Sequence, residues 1–231
     1  MPVLARAWIA AARLRRRAAP ARGLRQLREQ LVRRHAPGRS FVDVGCMWNA
    51  DGATAFLAEE AGATRVTGVD IMEPTRAYED AHARAGSAVR FVPGDLHDPA
   101  TVTAVGVHDL VWCNGLLYHS PNPLLALERL RALTGELLIL GTQTLPEVPG
   151  VRGACVLYPG LGPAQRRVYA PAGSDGKVGI DTPFEPDRSY ANWWWGITPS
   201  ALAGMLAAAG FDAEELAHDP FNMTVIARPA K

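Results

Sequence analysis

Three carboxylates stand at the ends of three apolar runs, and their spacing suggests a site. "FVDVGCMWN" carries Asp43 and Gly45, "VTGVDI" carries Asp70, and "FVPGDLHD" carries Asp95. Gly45 allows a sharp turn and close approach of a ligand to the backbone. Asp70, 25 residues after Gly45, is placed to accept both hydroxyl hydrogens of a ribose, with Ile71 next to it. Asp95 is suited to accept from an adenine amino group while Leu96 packs on the ring. The loop that follows Gly45, with Cys46, Met47 and Asn49, lacks the second and third glycines of a dinucleotide-binding turn. Asp43, just before that turn, would repel a diphosphate and favour a cation. The set therefore points to a nucleoside-bearing cofactor that is cationic and free of diphosphate.

A second group lies in "CNGLLYHSPNP". Asn114 ends a fourth apolar run on the cofactor side, and Tyr118 and His119 follow it. A histidine there suits general-base work on a hydroxyl, because its ordinary pKa lies near neutrality. The plainer alternative is a loop residue bonding the backbone before Pro121. Tyr118 is expected to position a substrate or to pack over the cofactor. His97 points to the adenine side or to solvent, and His108 precedes a strand at the wrong end of a sheet. Trp193, Trp194 and Trp195 are adjacent. Three such neighbours cannot all face one core, so at least one is expected to line a cavity for a sugar or another flat acceptor. The alternative is a core plug. No His, Cys, Asp or Glu spacing supports a metal site.

These residues need a scaffold, and the pattern supplies one. Apolar runs at 41–45, 65–70, 88–93, 108–113 and 136–141 alternate with helical stretches at 52–61, 74–85, 99–104 and 122–133. Such alternation predicts an α/β fold, a doubly wound and mostly parallel sheet with helices on both faces. After a break at 145–197, rich in Pro, Gly and aromatics, a helix at 199–209 opens on Thr198 and Pro199. Strands near 211–217 and 222–228 bring the count to seven. Before the sheet, Leu24, Leu27 and Leu31 mark an amphipathic helix over 22–35. Two regions follow: a basic helical extension at 1–39, and a domain at 40–231 with 145–197 as a lid over the substrate.

Composition sets the outer limits. The chain has 231 residues, 48% of them hydrophobic and 20% charged, as expected of a globular domain with a sizeable core. Three cysteines, none in a paired metal spacing, fit a reducing cytoplasm. No run is long and apolar enough for a transmembrane helix. The net charge of +1 hides an asymmetry, because eleven arginines and one acid fall in residues 1–39. That arm would suit nucleic acid, an anionic membrane or an acidic substrate. The simpler expectation is a helical face lying on the acidic body of its own domain.

Taken as a set, "VDVGC" (42–46), "VTGVD" (66–70), "FVPGDL" (91–96), "HDLVWCNGLLYHSPNP" (108–123) and "WWWGITPSALAGMLAAAGF" (193–211) resemble the class I S-adenosylmethionine-dependent methyltransferases. The resemblance covers residues 40 to 228. It implies a seven-stranded Rossmann-like sheet and S-adenosyl-L-methionine as cofactor. In that family the loop carrying Met47 and Asn49 contacts the methionyl part and tolerates side chains. "LLYHSPNPLLALERL" looks most like the branch containing the tRNA wobble-uridine carboxymethyltransferases. Ser120 departs from that branch, where a basic residue is expected. The reading is therefore O-methylation of a small-molecule or saccharide hydroxyl, with room for a homodimer. An RNA methyltransferase using the arginine arm and a non-catalytic cofactor-binding module are the alternatives.

Overall fold

The structure, a computed structural model, describes residues 2–18, 24–170 and 178–231. Two helices lead in, α1 (Pro2–Ala18) and α2 (Leu24–His35). The alternating part follows: β1 (Ser40–Val44), α3 (Ala53–Glu60), β2 (Arg65–Asp70), α4 (Arg76–Ala85), β3 (Arg90–Pro93), α5 (Pro99–Val105), β4 (His108–Asn114), α6 (Pro123–Leu133) and β5 (Thr134–Gln143). A small two-stranded sheet, β6 (Cys155–Leu157) with β7 (Trp195–Ile197), brackets α7 (Pro163–Tyr169). The chain closes with α8 (Pro199–Ala208), β8 (Phe211–Asp219) and β9 (Asn222–Pro229).

The seven-stranded sheet runs β3-β2-β1-β4-β5-β9-β8, and β9 is antiparallel to both of its neighbours. The strand order reverses between β1 and β4, so their carboxyl ends form a crevice. All five residues of β1 are buried, as expected of a central strand covered on both faces. On one face Val42, Val44, Val111 and Leu138 pack with Leu127 and Leu130 of α6 and Leu202 and Leu206 of α8. On the other, Phe41, Leu110 and Ile139 pack with Leu31 and Val32 of α2 and Ala55 and Ala58 of α3.

The helices begin where side chains satisfy their free N–H groups. Thr75 caps α4, Asp98 caps α5, Asn122 caps α6 and Thr198 caps α8, each accepting a backbone N–H. Of the helix expected over 22–35, residues 22 and 23 lie outside the described residues, as do 171–177 of the expected lid. The two-stranded sheet β6–β7 and helix α7 inside 145–197 had no sequence signal beyond scattered aromatics.

The basic extension lies against its own domain. Ile9 and Ala12 of α1 are buried with Phe221 of the β8–β9 turn. Trp8 donates to the Glu147 carbonyl at 2.8 Å, and Arg13 to the Ala170 carbonyl at 2.8 Å. Arg16 pairs with Asp219, Arg33 with Glu60 and Arg39 with Glu136. The last two are exposed, so their contribution to stability is small. Among the described residues no helix is long and apolar enough to cross a membrane.

Candidate active site

The strand order lines up the singled-out residues along one rim of the sheet: Asp95 after β3, Asp70 at the end of β2, Gly45 after β1, Asn114 at the end of β4. Gly45 has φ 80 and donates its N–H to Val69 at 2.9 Å, a left-handed turn that only glycine makes without strain. Asn49 and Asp51 also have positive φ, at 55 and 46, which these two residue types tolerate best. Thr75 donates to Asp51 at 2.6 Å and so ties this loop to the start of α4. Met47 and Cys46 are buried against Tyr78, so the loop meets a ligand with backbone and not with the Met47 side chain.

Asp70 joins two loops. One oxygen accepts the Met47 N–H at 2.8 Å and the other the Met72 N–H at 2.9 Å. A carboxylate offers about four acceptor sites, so two remain for a diol. Beside it the apolar Ile71 is 49% exposed, an open face for a flat ring. Asp95 accepts from the Tyr190 hydroxyl at 2.6 Å, from the His97 N–H at 2.8 Å, and lies 3.0 Å from His97 Nδ1. Burial pushes its pKa up, but the hydrogen bonds from Tyr190 and His97 and the His97 charge outweigh this and hold it below the usual carboxylate range. The Tyr190 ring stacks on His97, and His97 Nε2 reaches Ser120 Oγ at 2.9 Å. Leu96 does not lie open beside this group. It is 5% exposed and packs in the main core with Val92 and Val105, drawn inward where α5 begins after Asp98.

Asp43 is the most strained carboxylate electrostatically. It is 3% exposed, accepts the Ala55 N–H, and has one oxygen with no hydrogen-bond partner. Burial, then the neighbouring charge of Asp70, pushes its pKa up to about 7. An orphaned buried carboxylate beside the turn after β1 is the feature a cationic ligand group would satisfy. Ribose acceptors at Asp70, a ring face at Ile71 and a buried anion at Asp43 together fit a positively charged nucleoside cofactor.

Past β4, Tyr118 and His119 sit in a single turn at Leu117–His119. His119 Nδ1 is 2.8 Å from the Asn192 carbonyl oxygen. A carbonyl only accepts, so the neutral ring carries its proton on Nδ1 and Nε2 is the basic atom. Tyr118 is buried, and burial raises its pKa to about 12, against the lowering effect of Arg28. It remains a phenol at neutral pH and acts as a donor or a packing surface. The three tryptophans divide the work. Trp193 is 2% exposed, lies tilted against Tyr118 with ring centroids 4.2 Å apart and forms a small core with Tyr158 and Ile180. The expectation that it meets an acceptor is corrected: it plugs the join between insertion and domain. Trp195 packs on the main core and donates to the Pro121 carbonyl, and Trp194 is half-buried against Phe184.

Residues 42–135 match the family described as "Methyltransferase domain". Solved structures share the fold. The N-terminal domain of EvdMO1 with S-adenosylhomocysteine bound is 20% identical, with a TM-score of 0.59 over 87% of this chain and 79% of that one. Magnesium protoporphyrin IX methyltransferase from Synechocystis PCC 6803 is 16% identical, with a TM-score of 0.55 over 90% of this chain and 80% of that one. The 1,6-didemethyltoxoflavin-N1-methyltransferase of Burkholderia thailandensis is 19% identical, with a TM-score of 0.58 over 100% of this chain and 88% of that one. The match spans part of the chain, and the likeness to these solved structures is one of fold. No curated protein matches it by sequence. The sequence left two residues of this rim unmarked. Tyr190 reaches Asp95 from 95 positions away, and Arg28 comes from the helix before the sheet. Neither had a motif. Among the described residues no group of His, Cys, Asp and Glu is placed to hold a metal ion.

Proposed function

We propose that this methyltransferase uses S-adenosyl-L-methionine to methylate a hydroxyl of a small-molecule or saccharide acceptor. The observation that carries the cofactor is Asp43, a buried carboxylate with an orphaned oxygen at the turn after β1. Asp70 would hold the ribose, Ile71 would cover the adenine and Asp95 would accept its amino group, while Asp43 faces the cationic methionyl end. Gly45, Cys46 and Met47 contribute the backbone of the turn, and Asn114 closes the rim at β4. The bound cofactor supplies an activated methyl group. The chain's own part is alignment, exclusion of water and removal of the acceptor's proton.

His119 is the proposed base, acting through Nε2, with Tyr118 steadying its neighbourhood. The class of acceptor follows from that base: a hydroxyl must lose a proton as it is methylated, and a neutral imidazole can take it. The methyltransferases that resemble this fold include ones whose names point to small molecules. The deciding experiment supplies labelled cofactor to a cytosolic extract and separates the products into RNA, protein and small molecules. Label in RNA, bound in a salt-sensitive way, would replace this reading with the arginine-arm one.

Two expected results test the parts. Asp70→Asn should weaken both S-adenosylmethionine and S-adenosylhomocysteine by about tenfold or more, the worth of charge-assisted hydrogen bonds to a diol, roughly 1.5–3 kcal/mol. Calorimetric affinities equal to wild type would remove Asp70 from the ribose site. The insertion at 145–197 is proposed as a lid. It reaches the rim through Tyr190 on Asp95 and Trp195 on Pro121. Cofactor should slow limited proteolysis within the insertion several-fold, and an unchanged cleavage rate with cofactor and acceptor present would end the lid proposal.

A further inference from the structure

Among the described residues, Arg28 brings a cation to the rim without an anionic partner. It lies on α2, half-buried, and its guanidinium end stands over Gly141 at the end of β5. A Cβ added to Gly141 would lie 3.0 Å from Arg28 Nη2 and would collide with Asn114 Oδ1. The Arg28 Nε is buried without a hydrogen-bond partner. Burial pulls its pKa down, and the titratable group that acts on it is the Tyr118 hydroxyl, not a carboxylate. An arginine stays charged at any working pH, so a desolvated guanidinium without an anion is an unfavourable arrangement. The glycine that gives it room and the oriented Asn114 beside it make this a built position, not a stray surface charge.

We propose that Arg28 binds a carboxylate of the methyl acceptor, so that the substrate class is a hydroxy acid. This rests on the reading of the protein as a methyltransferase. Strand order gives the assignment. Along the rim the adenine position is at β3, the ribose position at β2 and the turn beside Asp43 at β1. Arg28 stands over β4 and β5, the next places in that order and on the far side from Asp95. Asn114 and Tyr118 lie at the same place, so the guanidinium shares its space with the proposed base's own turn. The planar fork of an arginine matches a carboxylate with two parallel hydrogen bonds, which fixes orientation as well as affinity. A hydroxyl carried near such a carboxylate would be presented to His119.

The test uses the full chain loaded with S-adenosylhomocysteine. Benzoate serves as the carboxylate probe and benzyl alcohol as its neutral counterpart, both followed by calorimetry. Benzoate should bind saturably, benzyl alcohol should not, and Arg28→Met should weaken benzoate tenfold or more while Arg28→Lys keeps part of it. A thermal melt of each variant checks folding. S-adenosylhomocysteine and its decarboxylated analogue, 5′-(3-aminopropylthio)adenosine, should each bind Arg28→Met within about twofold of wild type. If Arg28→Met weakens S-adenosylhomocysteine but not the analogue, the guanidinium holds the cofactor's own carboxylate and the proposal is overturned. It is also overturned if benzoate fails to bind the loaded wild type or binds the variant equally. Failure of wild type to bind S-adenosylhomocysteine at all would instead strike the methyltransferase reading.

Discussion

Asp43→Asn should raise the melting temperature of the cofactor-free protein at pH 8 and at the same time weaken S-adenosylmethionine by about a hundredfold. Both effects come from one buried carboxylate. In the folded chain its pKa is about 7, against 3.8 without burial. The folded state therefore holds this proton more tightly than the unfolded state does. Its contribution to stability is fully present below about pH 4 and is lost as pH rises through about 7. At pH 8 the ionised group costs roughly 4 kcal/mol. Relieving that cost should raise the melting temperature by about 5 °C or more. The cofactor reverses the sign. Its cationic end would satisfy the orphaned oxygen, so removing the charge breaks a buried pair, worth about 3 kcal/mol or more. Wild-type affinity should accordingly fall as pH drops below about 7, by up to about tenfold per unit, and the Asn variant should lose that dependence. S-adenosylhomocysteine separates the partner: equal weakening of both ligands assigns Asp43 to the ammonium, and weakening of S-adenosylmethionine alone assigns it to the sulfonium. A variant that melts lower at pH 8 and binds both ligands normally would show that Asp43 is a structural acceptor for Ala55 and nothing more.

The parallel half of the sheet was legible because its inner strands are buried on both faces and read as unbroken apolar runs that turn at Gly45, Asp70 and Asn114, while Asp95 follows the edge strand β3. A residue at the end of such a strand has its place along the rim set by topology, which is why those four fall together. What happens one residue later was less legible. Ile71 stays exposed and Leu96 turns under the sheet, although each follows an aspartate at the end of a β run. The difference lies in what packs against the loop: α5 begins at once after Asp98 and draws Leu96 inward, whereas α4 starts only at Arg76. The insertion was the hardest part. Its contacts are long-range, Tyr190 to Asp95 and Trp193 to Tyr118, and no periodicity announces a pairing between residues 75 or more positions apart. Arg28 was hidden for another reason. Among the eleven arginines of residues 1–39 nothing in the sequence singles out Arg28, because the room for its guanidinium is given by the small residue opposite it, Gly141.

His119→Ala should lower the rate of methyl transfer by about a hundredfold or more while leaving S-adenosylmethionine affinity within about twofold. A base used only in the chemical step stabilises the transition state and not the bound cofactor, so the loss belongs in turnover. The geometry sharpens the test. Nδ1 is turned to the Asn192 carbonyl, and Asn192 is itself fully buried and held by Glu185 and Ser189 of the insertion. The ring is thus oriented by the insertion. Asn192→Ala keeps the backbone carbonyl that His119 bonds but removes the side-chain bonds that hold it in place, so it should also reduce turnover, by less than His119→Ala, by loosening the angle of the ring. His119→Gln keeps a group able to bond the Asn192 carbonyl but cannot accept the proton at neutral pH. If His119→Gln is as slow as His119→Ala, proton removal is the role that was lost. If His119→Gln restores the rate, His119 is a strut between the turn after β4 and the insertion. Catalysis would then rest on alignment alone or on a carboxylate of the insertion, with Asp181, Glu185 and Asp187 as the next substitutions. Of these Glu185 is the first to make: its backbone bonds the Asn192 side chain, and its carboxylate, now paired with Arg188, belongs to the same turn of the insertion.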